Sequence, residues 1–571
     1  MSDAQPFQLD FTGLRSAQAP LTWGQRVIYE AVLSRTEAHG YDYDIKYFVE
    51  LDGTSTTEDV LAALRQVVAG YESLRTVYLP GADGAPPRQS VQGEGRLPVR
   101  IDRMAAGADP EAETVRLHTR MAESGFGLSH EWGIRVTLLL APGGAPFRVL
   151  LYLSHVALDG WALRILEQDL RDRLAGRPAA DPAGAPRTQP LDLAEQEQSE
   201  RGRAMNRRSG AYVRRVLDGA PRSMFAGAAG DPGAAHGELR SAPMDAAART
   251  IALRCQVSTA TVHLAAFATL LARRNGTTRC ALKTIFANRV GADRQGMVAP
   301  LASDVVLCPE VSGPAFDDVV RATHKDTLRG YARAQYDPAD LDGLIAAAGA
   351  ARGLRLDLSV LHNDTTLLFG DPAQRTRTPE ETEDTAERES ADDRSFSWAP
   401  PFALPALKLY YNVSAEPDGP RTVHRLVADT AYLPRDDVRG LLLDMETLLT
   451  ESARRPGVPM AASPDGYLVR PLARGDDWLL TDASWADLGA MRRALLGLEP
   501  VAGAELLVDR DAAGVPRVTA RVVPHPRGDG GRPVTVGEVR RAYEAALSVL
   551  PDVVLPHYYI VERPQFRVAS H

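Results

Sequence analysis

The stretch that most constrains the fold is an apolar strand that runs into a polar turn and then a helix. Residues 147–161 read FRVLLYLSHVALDGW. The apolar first half predicts a buried strand, and residues 160–175 have the spacing of a helix. The turn between them contains His155 and, four residues later, Asp159 followed by Gly160. This order is typical of α/β folds, which tend to place sites at the carboxyl ends of strands.

Each polar residue of this turn has a predicted task. Asp159 stands where the next helix would be capped, and Gly160 permits a tight turn. His155 then points out of the corner, and an imidazole that titrates near neutral pH can take a proton from an attacking amine or alcohol. The pattern HxxxDG also occurs by chance. This turn alone therefore does not distinguish a structural histidine from a catalytic one, and other motifs of the chain are needed.

The bulk properties exclude several classes of protein. With 571 residues the chain is long enough for several domains, and it contains no apolar run long enough to span a membrane. A net charge of −9 argues against nucleic acid or an anionic membrane as the main partner. The first residues lack a secretion signal, so we expect a cytoplasmic protein with reduced thiols. The three cysteines lack metal-ligand spacing; they are Cys255, Cys280 and Cys308.

Two strand-and-helix segments follow each other along the chain, and a shorter one ends it. Breaks rich in proline, alanine or glycine occur at 176–189 and 226–237, with a charged helical segment between them. In the second segment we expect strands at 354–361 and 404–414. Residues 371–396 are charged and almost free of large apolar side chains, which predicts a solvated loop.

Other elements are predicted from local patterns. The first segment should contain a helix behind a Thr22 cap and two adjacent strands, at 134–140 and 147–155. The second should contain a helix at 258–276, with Ser258 as its N-cap and Gly276 at its C-cap. The last segment has two predicted helices, at 483–496 and 535–548.

Several motifs, in order, resemble one family, the condensation domains of nonribosomal peptide synthetases. The family's HHxxxDG(W/F)S signature stands here as SHVALDGWA. Other matching stretches are PLTWGQRVIY (20–29), YESLRTVY (71–78), AYVRRVLDGAP (211–221), STATVHLAAFATLLARRNGTTRCALKTIFANR (258–289) and GMVAPLASDVVL (296–307). The resemblance covers roughly residues 10–460.

The resemblance implies an α/β fold of two chloramphenicol-acetyltransferase-like lobes that form a V-shaped pseudo-dimer, with the active site in a tunnel between them. The implied domains are an N-terminal lobe at 1–180, a linker and helix at 181–220, a C-terminal lobe at 221–462 and a small α/β domain at 463–571. In this family a donor thioester on the phosphopantetheine arm of a carrier protein meets an acceptor amine.

The resemblance also assigns roles to residues. His155 matches the motif histidine that faces the reacting groups. Asp159 matches an aspartate that pairs with an arginine, which is Arg289 here, and with Gly160 it supports the active site structurally. Two positions depart from the family pattern: Ser154 replaces the first histidine, and Ser303 stands near the usual asparagine and threonine of the segment that bridges the tunnel. Of these motif neighbours, Ser303 leaves the acceptor and the geometry of the bridging segment open. The position of Ser154 is usually structural in the family, and Trp161 is expected to pack rather than to contact a ligand.

The last part of the chain has a second resemblance, to the small C-terminal subdomain of adenylation domains. It is carried by residues 496–524 and 549–564, but the lysine that serves adenylation is missing and no glycine-rich phosphate loop stands out. We therefore expect no bound cofactor or metal, no use of ATP, and a role in docking or stability.

The sequence thus predicts a condensation enzyme of the acyltransferase type that forms an amide between a carrier-bound acyl or aminoacyl group and an amine. The carrier proteins would act in trans, and the acceptor would be free or carrier-bound. Three alternatives stay open: an alcohol acceptor giving an ester, a catalytically silent module that recruits partner proteins, and epimerisation of a carrier-bound residue.

Overall fold

The structure is a computed structural model. It describes residues 6–13, 15–34, 44–177, 188–228, 230–369, 393–402, 406–416, 421–457, 467–481, 484–526, 532–547, 550 and 552–562. The chain forms two compact units. The first contains Met1–Arg208, Phe286–Asp304 and Ala334–Pro338, and the second contains Ser209–Ile285, Val305–Arg333 and Ala339–His571. Phe286–Asp304 therefore packs with the N-terminal part of the chain, and the four predicted domain ranges stay predictions.

The strands are numbered in chain order. They are β1 (Phe7–Thr12), β2 (Ala17–Pro20), β3 (Ile45–Glu50), β4 (Thr76–Leu79), β5 (Arg88–Val91), β6 (Glu94–Arg103), β7 (Ile134–Leu140), β8 (Pro146–Leu153), β9 (Ala234–Ser241), β10 (Leu282–Phe286), β11 (Ser303–Leu307), β12 (Val360–Asp364), β13 (Arg394–Trp398), β14 (Leu409–Ala415), β15 (Thr422–Asp429), β16 (Trp478–Leu480), β17 (Trp485–Asp487), β18 (Val501–Arg510), β19 (Pro516–Pro524) and β20 (Tyr558–Val561).

The α-helices are numbered in the same way. They are α1 (Trp23–Leu33), α2 (Thr57–Gly70), α3 (Pro110–Met121), α4 (Gly160–Leu174), α5 (Pro190–Gln198), α6 (Glu200–Asp218), α7 (Ala242–Cys255), α8 (Thr259–Asn275), α9 (Ala292–Gln295), α10 (Phe316–Tyr331), α11 (Ala339–Ala351), α12 (Thr366–Phe369), α13 (Arg435–Arg454), α14 (Leu488–Leu496) and α15 (Val536–Leu547).

The first unit is built on a five-stranded sheet in the order β1-β6-β7-β8-β3. Helices α2 and α4 pack on one face, and their apolar side chains join those of the strands in one core that includes Leu64, Val149 and Leu166. β7 and β8 are antiparallel, with Ile134 opposite Leu153. This pairing confirms the two adjacent strands predicted from the sequence and fixes the end of β8, where the candidate site begins.

Several helix ends confirm the predicted capping residues. Thr22 caps α1 and forms a reciprocal capping box with Gln25. Ser258 caps α8, and Gly276 ends it with a φ of 67°. The charged segment predicted at 190–217 is helical, but it forms two helices, α5 and α6, that meet at Ser199.

The second unit contains a seven-stranded sheet in the order β11-β10-β12-β14-β15-β9-β13, covered by helices that include α7, α8 and α13. Its small C-terminal part has a three-stranded sheet, β18-β19-β20, and the two predicted helices, α14 and α15. One sequence prediction is wrong in position: the strand expected at 354–361 lies at Val360–Asp364.

Two further points concern the predicted loop and the apolar segments. Most of the predicted loop at 371–396 lies outside the described residues, and its end from Arg394 forms β13, which corrects the prediction there. Within the described part of the chain, no single helix has the length and apolarity of a membrane span; α7 and α8 pass that test only as a pair bent by 106°. The three cysteines are free and buried.

Candidate active site

The sequence-predicted histidine lies in a tight turn just past the end of β8. The Ser154 amide donates to the Gly133 carbonyl at 2.9 Å, which continues the strand pairing by one residue. The chain then turns, and Nδ1 of His155 lies 2.9 Å from the Leu158 carbonyl oxygen. Because a carbonyl oxygen can only accept, Nδ1 must carry the hydrogen, which leaves Nε2 with its lone pair in the neutral ring. His155 is partly exposed, and among the described residues no hydrogen-bond partner occupies Nε2.

Asp159 occupies the predicted cap position and begins α4. Its Oδ1 accepts from the Ala162 amide at 2.8 Å. Gly160 is the first residue of the helix, and its φ lies outside the left-handed region. The turn therefore does not depend on the conformational freedom of glycine, which corrects the reason given for Gly160 on sequence grounds.

The same carboxylate holds a segment from far along the chain. Nη2 of Arg289 donates to Oδ1 of Asp159 at 2.7 Å, and both side chains are about 95% buried. Oδ2 accepts from the backbone amides of Leu301 at 2.9 Å and Ala302 at 3.3 Å. With the amide of Ala162, four donors surround the carboxylate. It is fully engaged in holding the backbone and is not free for proton transfer.

Arg289 in turn fixes the fold of its own segment. Its guanidinium donates to the carbonyl oxygens of Arg294 at 3.2 Å and Ala299 at 2.8 Å, and also to that of Met297. Met297, Ala299 and Leu301 pack with Leu193 of α5 in a small apolar cluster. The segment Phe286–Asp304 is thus attached to the first unit by one buried ion pair, several charge-assisted hydrogen bonds and an apolar contact.

Ser303 lies at the end of this segment, within a second set of hydrogen bonds. Asn288 has a φ of 56°, a left-handed conformation that asparagine tolerates better than most residues. Its Nδ2 donates to Ser303 Oγ at 2.9 Å and to the Ala334 carbonyl at 3.3 Å. Ser303 Oγ donates to that same carbonyl at 2.9 Å. Ser303 therefore has a structural contact in the segment Phe286–Asp304, which is called the bridging segment below.

The bridging segment also lies directly against α1. A Cβ added to Gly24 would come within 2.0 Å of the Pro300 carbonyl oxygen, so only glycine fits there without displacement. The sequence offered no signal for this contact, because Gly24 and Pro300 are far apart in the chain.

A buried carboxyl group that sequence reasoning missed lies beside these residues. Glu197 of α5 accepts from the Trp23 amide at 2.8 Å, at the start of α1. It lines a cavity of about 20 Å³ together with Asn288, Arg294 and Ser303. Burial raises the pKa of Glu197 to about 8, against the opposing effects of the Trp23 hydrogen bond and the Arg294 charge. Glu197 falls in a segment predicted only as charged and helical.

The remaining motif neighbours have different surroundings. Ser154 is buried, and its hydroxyl has no hydrogen-bond partner among the residues that the structure describes. Trp161 follows Gly160 and is 36% exposed, as other single large apolar side chains of the chain are. The Ser154 hydroxyl therefore has no hydrogen-bonding role within the described residues, and Trp161 is partly open to solvent.

A second group of buried polar side chains lies in the second unit. His263 pairs with Asp364 at 3.0 Å, and His362 contacts Thr284 at 3.2 Å. His424 lies against Tyr411, with Nδ1 and the hydroxyl 2.7 Å apart. His263 and His362 lie far apart in the chain, and the fold brings them together. Across the described ranges, no group of three or more His, Cys, Asp or Glu residues could hold a metal ion.

Comparison with known proteins identifies relatives of this arrangement. Residues 16–360 match the family model described as "Condensation domain". Two curated synthetases are similar in sequence. The isonitrile lipopeptide synthase of Mycobacterium tuberculosis is 32% identical over 28% of this chain and 6% of that protein. Phosphinothricin tripeptide synthetase PhsC of Streptomyces viridochromogenes is 25% identical over 55% of this chain and 30% of that protein. The chain thus spans less than a third of the length of either relative.

Solved structures match the fold over most of the chain. A structure titled for condensation domain-mediated chain release from the enacyloxin polyketide synthase has a TM-score of 0.57 and 18% identity, covering 81% of this chain and 86% of that one. The first condensation domain of the calcium-dependent antibiotic synthetase has a TM-score of 0.54 and 19% identity, covering 78% and 98%. These matches confirm the predicted α/β fold with chloramphenicol-acetyltransferase-like lobes. The adenylation-type resemblance of residues 463–571 stays a prediction.

Proposed function

Because the chain belongs to the condensation-domain family, we propose that it joins a carrier-bound acyl or aminoacyl thioester to an amine, forming an amide, with His155 at the reacting centre. The observation that carries the proposal is the 2.9 Å hydrogen bond between Nδ1 of His155 and the Leu158 carbonyl. It holds the ring in the tautomer whose Nε2 can accept a proton. The family match contains this histidine, which supports the assignment.

In the proposed reaction the amine nitrogen attacks the thioester carbonyl carbon, and Nε2 of His155 takes a proton from that nitrogen. The carbon–nitrogen bond forms, the carbon–sulfur bond breaks, and the sulfur leaves on the phosphopantetheine arm of the carrier. The departing thiolate takes the proton back from His155, so the products are an amide and a free thiol. Alignment of the two substrates can be worth about 7–11 kcal/mol, and a general base adds roughly 10²–10⁴-fold in rate.

The other motif residues support this geometry in the proposal. Asp159 and Arg289 fix the turn that presents His155 and the segment that carries Ser303, because their polar atoms are engaged with each other and with the backbone. Gly160 begins the helix that Asp159 caps. In this account Asp159 and Arg289 are positioning residues, and the chemistry belongs to His155.

The test is an intact-mass assay on acylated carrier proteins from the same gene neighbourhood, incubated with a panel of amines and alcohols. The proposal predicts that the carrier loses its acyl group only when an amine is present, with the amide as product. Transfer to alcohols alone would replace amide formation by ester formation. No transfer from any donor, with carrier binding retained, would contradict the enzyme and favour a recruitment module.

A further inference from the structure

The first half of α6 carries four arginines in eight residues. They belong to the stretch that reads ERGRAMNRR from Glu200 to Arg208, within the first unit. All four side chains are exposed, and together they are called the arginine face; they are Arg201, Arg203, Arg207 and Arg208. The two acidic residues of this helix, Glu200 and Asp218, lie at its ends and leave the middle of the helix uniformly basic.

Within the part of the chain that the structure describes, the charges of the arginine face have no carboxylate partner. Among the described residues, none of its four guanidinium groups forms an ion pair, and Arg203 donates only to the Gln198 carbonyl, at 2.6 Å. Arg203 and Arg207 are four residues apart on one side of the helix, where like charges repel and destabilise it. The arginine face therefore lowers the stability of α6.

Several exposed arginines on α4 and α10 have local carboxylate partners. On α4, Arg164 and Arg171 both pair with Glu167. On α10, Arg329 pairs with Asp326 at 3.1 Å. These exposed arginines have carboxylate partners on their own helices, whereas the arginine face has none among the described residues, so it is open to an acidic partner.

The charge of the whole chain narrows the class of partner. The net charge of the protein is −9, so a long polyanion such as nucleic acid that extends beyond the arginine face is repelled by the rest of the surface. A small acidic protein can approach this patch alone, and arginine binds carboxylates through two parallel hydrogen bonds. Contacts between exposed charges speed association more than they tighten the complex, which suits a partner that must arrive and leave at every turnover.

We propose that the arginine face is the docking surface for the carrier protein that delivers the thioester, and that acidic side chains of the carrier bind it. The proposal rests on the proposed function, because that function requires such a carrier. Association of the carrier would be fast and would weaken as the salt concentration rises. Substitutions in the arginine face would leave the chemical step at His155 unchanged.

The test compares a triple variant, Arg203→Gln/Arg207→Gln/Arg208→Gln, with a matched control, Arg164→Gln/Arg321→Gln/Arg329→Gln. Both remove three exposed charges, but the control arginines already have carboxylate partners. The probe is the apo form of each carrier protein encoded in the same gene neighbourhood. This form can bind but cannot react, because it has no phosphopantetheine arm and so no thioester. We expect the dissociation constant of the triple variant to rise at least about tenfold at low salt and that of the control less than about twofold. At saturating acylated carrier, turnover should be unchanged.

The outcomes separate this inference from the proposed function. Equal carrier affinity in the two variants would overturn the docking surface. A triple variant that loses affinity for duplex DNA or anionic vesicles, with carrier affinity unchanged, would overturn the choice of partner. Weakened carrier binding in a protein that forms no product would support the docking surface and contradict the proposed function.

Discussion

The side chains of Asp159 and Arg289 meet at 2.7 Å although 130 residues separate them in the chain. The same carboxylate caps α4 and accepts two backbone amides from the bridging segment, at Leu301 and Ala302. The turn that presents His155 and the segment that ends at Ser303 therefore share one buried anchor. A substitution of Asp159 or Arg289 should therefore lower the stability of the protein, and any loss of activity should follow from that loss of stability.

Asp159→Ala should destabilise the protein by about 3–5 kcal/mol, because it leaves the buried charge of Arg289 without a counter-ion. The measurement is urea unfolding followed by circular dichroism. Asp109→Ala is the matched control, since Asp109 caps α3 with an exposed side chain and should cost only about 1 kcal/mol. If Asp159→Ala cost no more than this control, the ion pair would not be the anchor that we describe.

Gly24→Ala should displace the bridging segment, because the added methyl group would meet the Pro300 carbonyl at 2.0 Å. Overpacking of this kind costs about 1–3 kcal/mol. Gly70→Ala, at the end of α2 with open space around it, should be neutral or slightly stabilising. The measurement is the thermal unfolding midpoint of each variant. Equal midpoints for the two variants would contradict the close contact between Gly24 and the Pro300 carbonyl.

Glu197 should make stability fall as the pH rises. Burial raises the pKa of Glu197 to about 8 from a usual 4.5, so the folded state keeps a proton that the unfolded state releases. The resulting stabilisation is complete below pH 4.5 and is lost progressively up to about pH 8, a change of up to about 5 kcal/mol. Glu197→Gln should abolish this slope, as measured by urea midpoints from pH 5 to 9. An unchanged slope would mean that Glu197 is ionised in the folded protein.

His362 should act in the opposite direction in the second unit. Burial lowers the pKa of His362 to about 4 from 6.5, against the attraction of Asp364 and with the repulsion of His263 and His424. The unfolded state therefore binds the proton first, and stability present above pH 6.5 is lost as the pH falls to about 4, by about 3 kcal/mol. His362→Gln should flatten this acid limb, whereas His324→Gln on α10 should not. An acid limb unaffected by His362→Gln would contradict a neutral buried imidazole.

The sequence predicted well what depends on local chemistry. The cap at Thr22, the β7–β8 pair and the cap at Asp159 all follow from residues a few positions apart. The strand expected at 354–361 shows the limit of such patterns. Leu354, Leu356 and Leu358 alternate and are all buried, but this stretch forms no regular ladder. The side chain of Asp357 instead binds the Ser359 amide and Lys408, which holds the chain outside the sheet.

What the sequence could not predict arises from long-range packing. β15 and α11 were not expected at all, and β13 was hidden in a charged segment whose strand character depends on pairing with β9. In the candidate site, the amides of Leu301 and Ala302 carry no sequence signal. The burial of Glu197 likewise depends on packing against α1 and the bridging segment. Its charged neighbours in the sequence indicate an exposed helix, so the sequence did not predict this burial.

The most direct test of the central claim is single-turnover acyl transfer by His155→Ala compared with His130→Ala. His130 is an exposed histidine of the first unit and is the matched control. With acylated carrier and amine at saturation, the account predicts a rate about 10²–10⁴-fold lower for His155→Ala, an unchanged rate for His130→Ala, and the wild-type unfolding midpoint for both. A folded His155→Ala protein that transfers the acyl group at the wild-type rate would contradict the role of this imidazole.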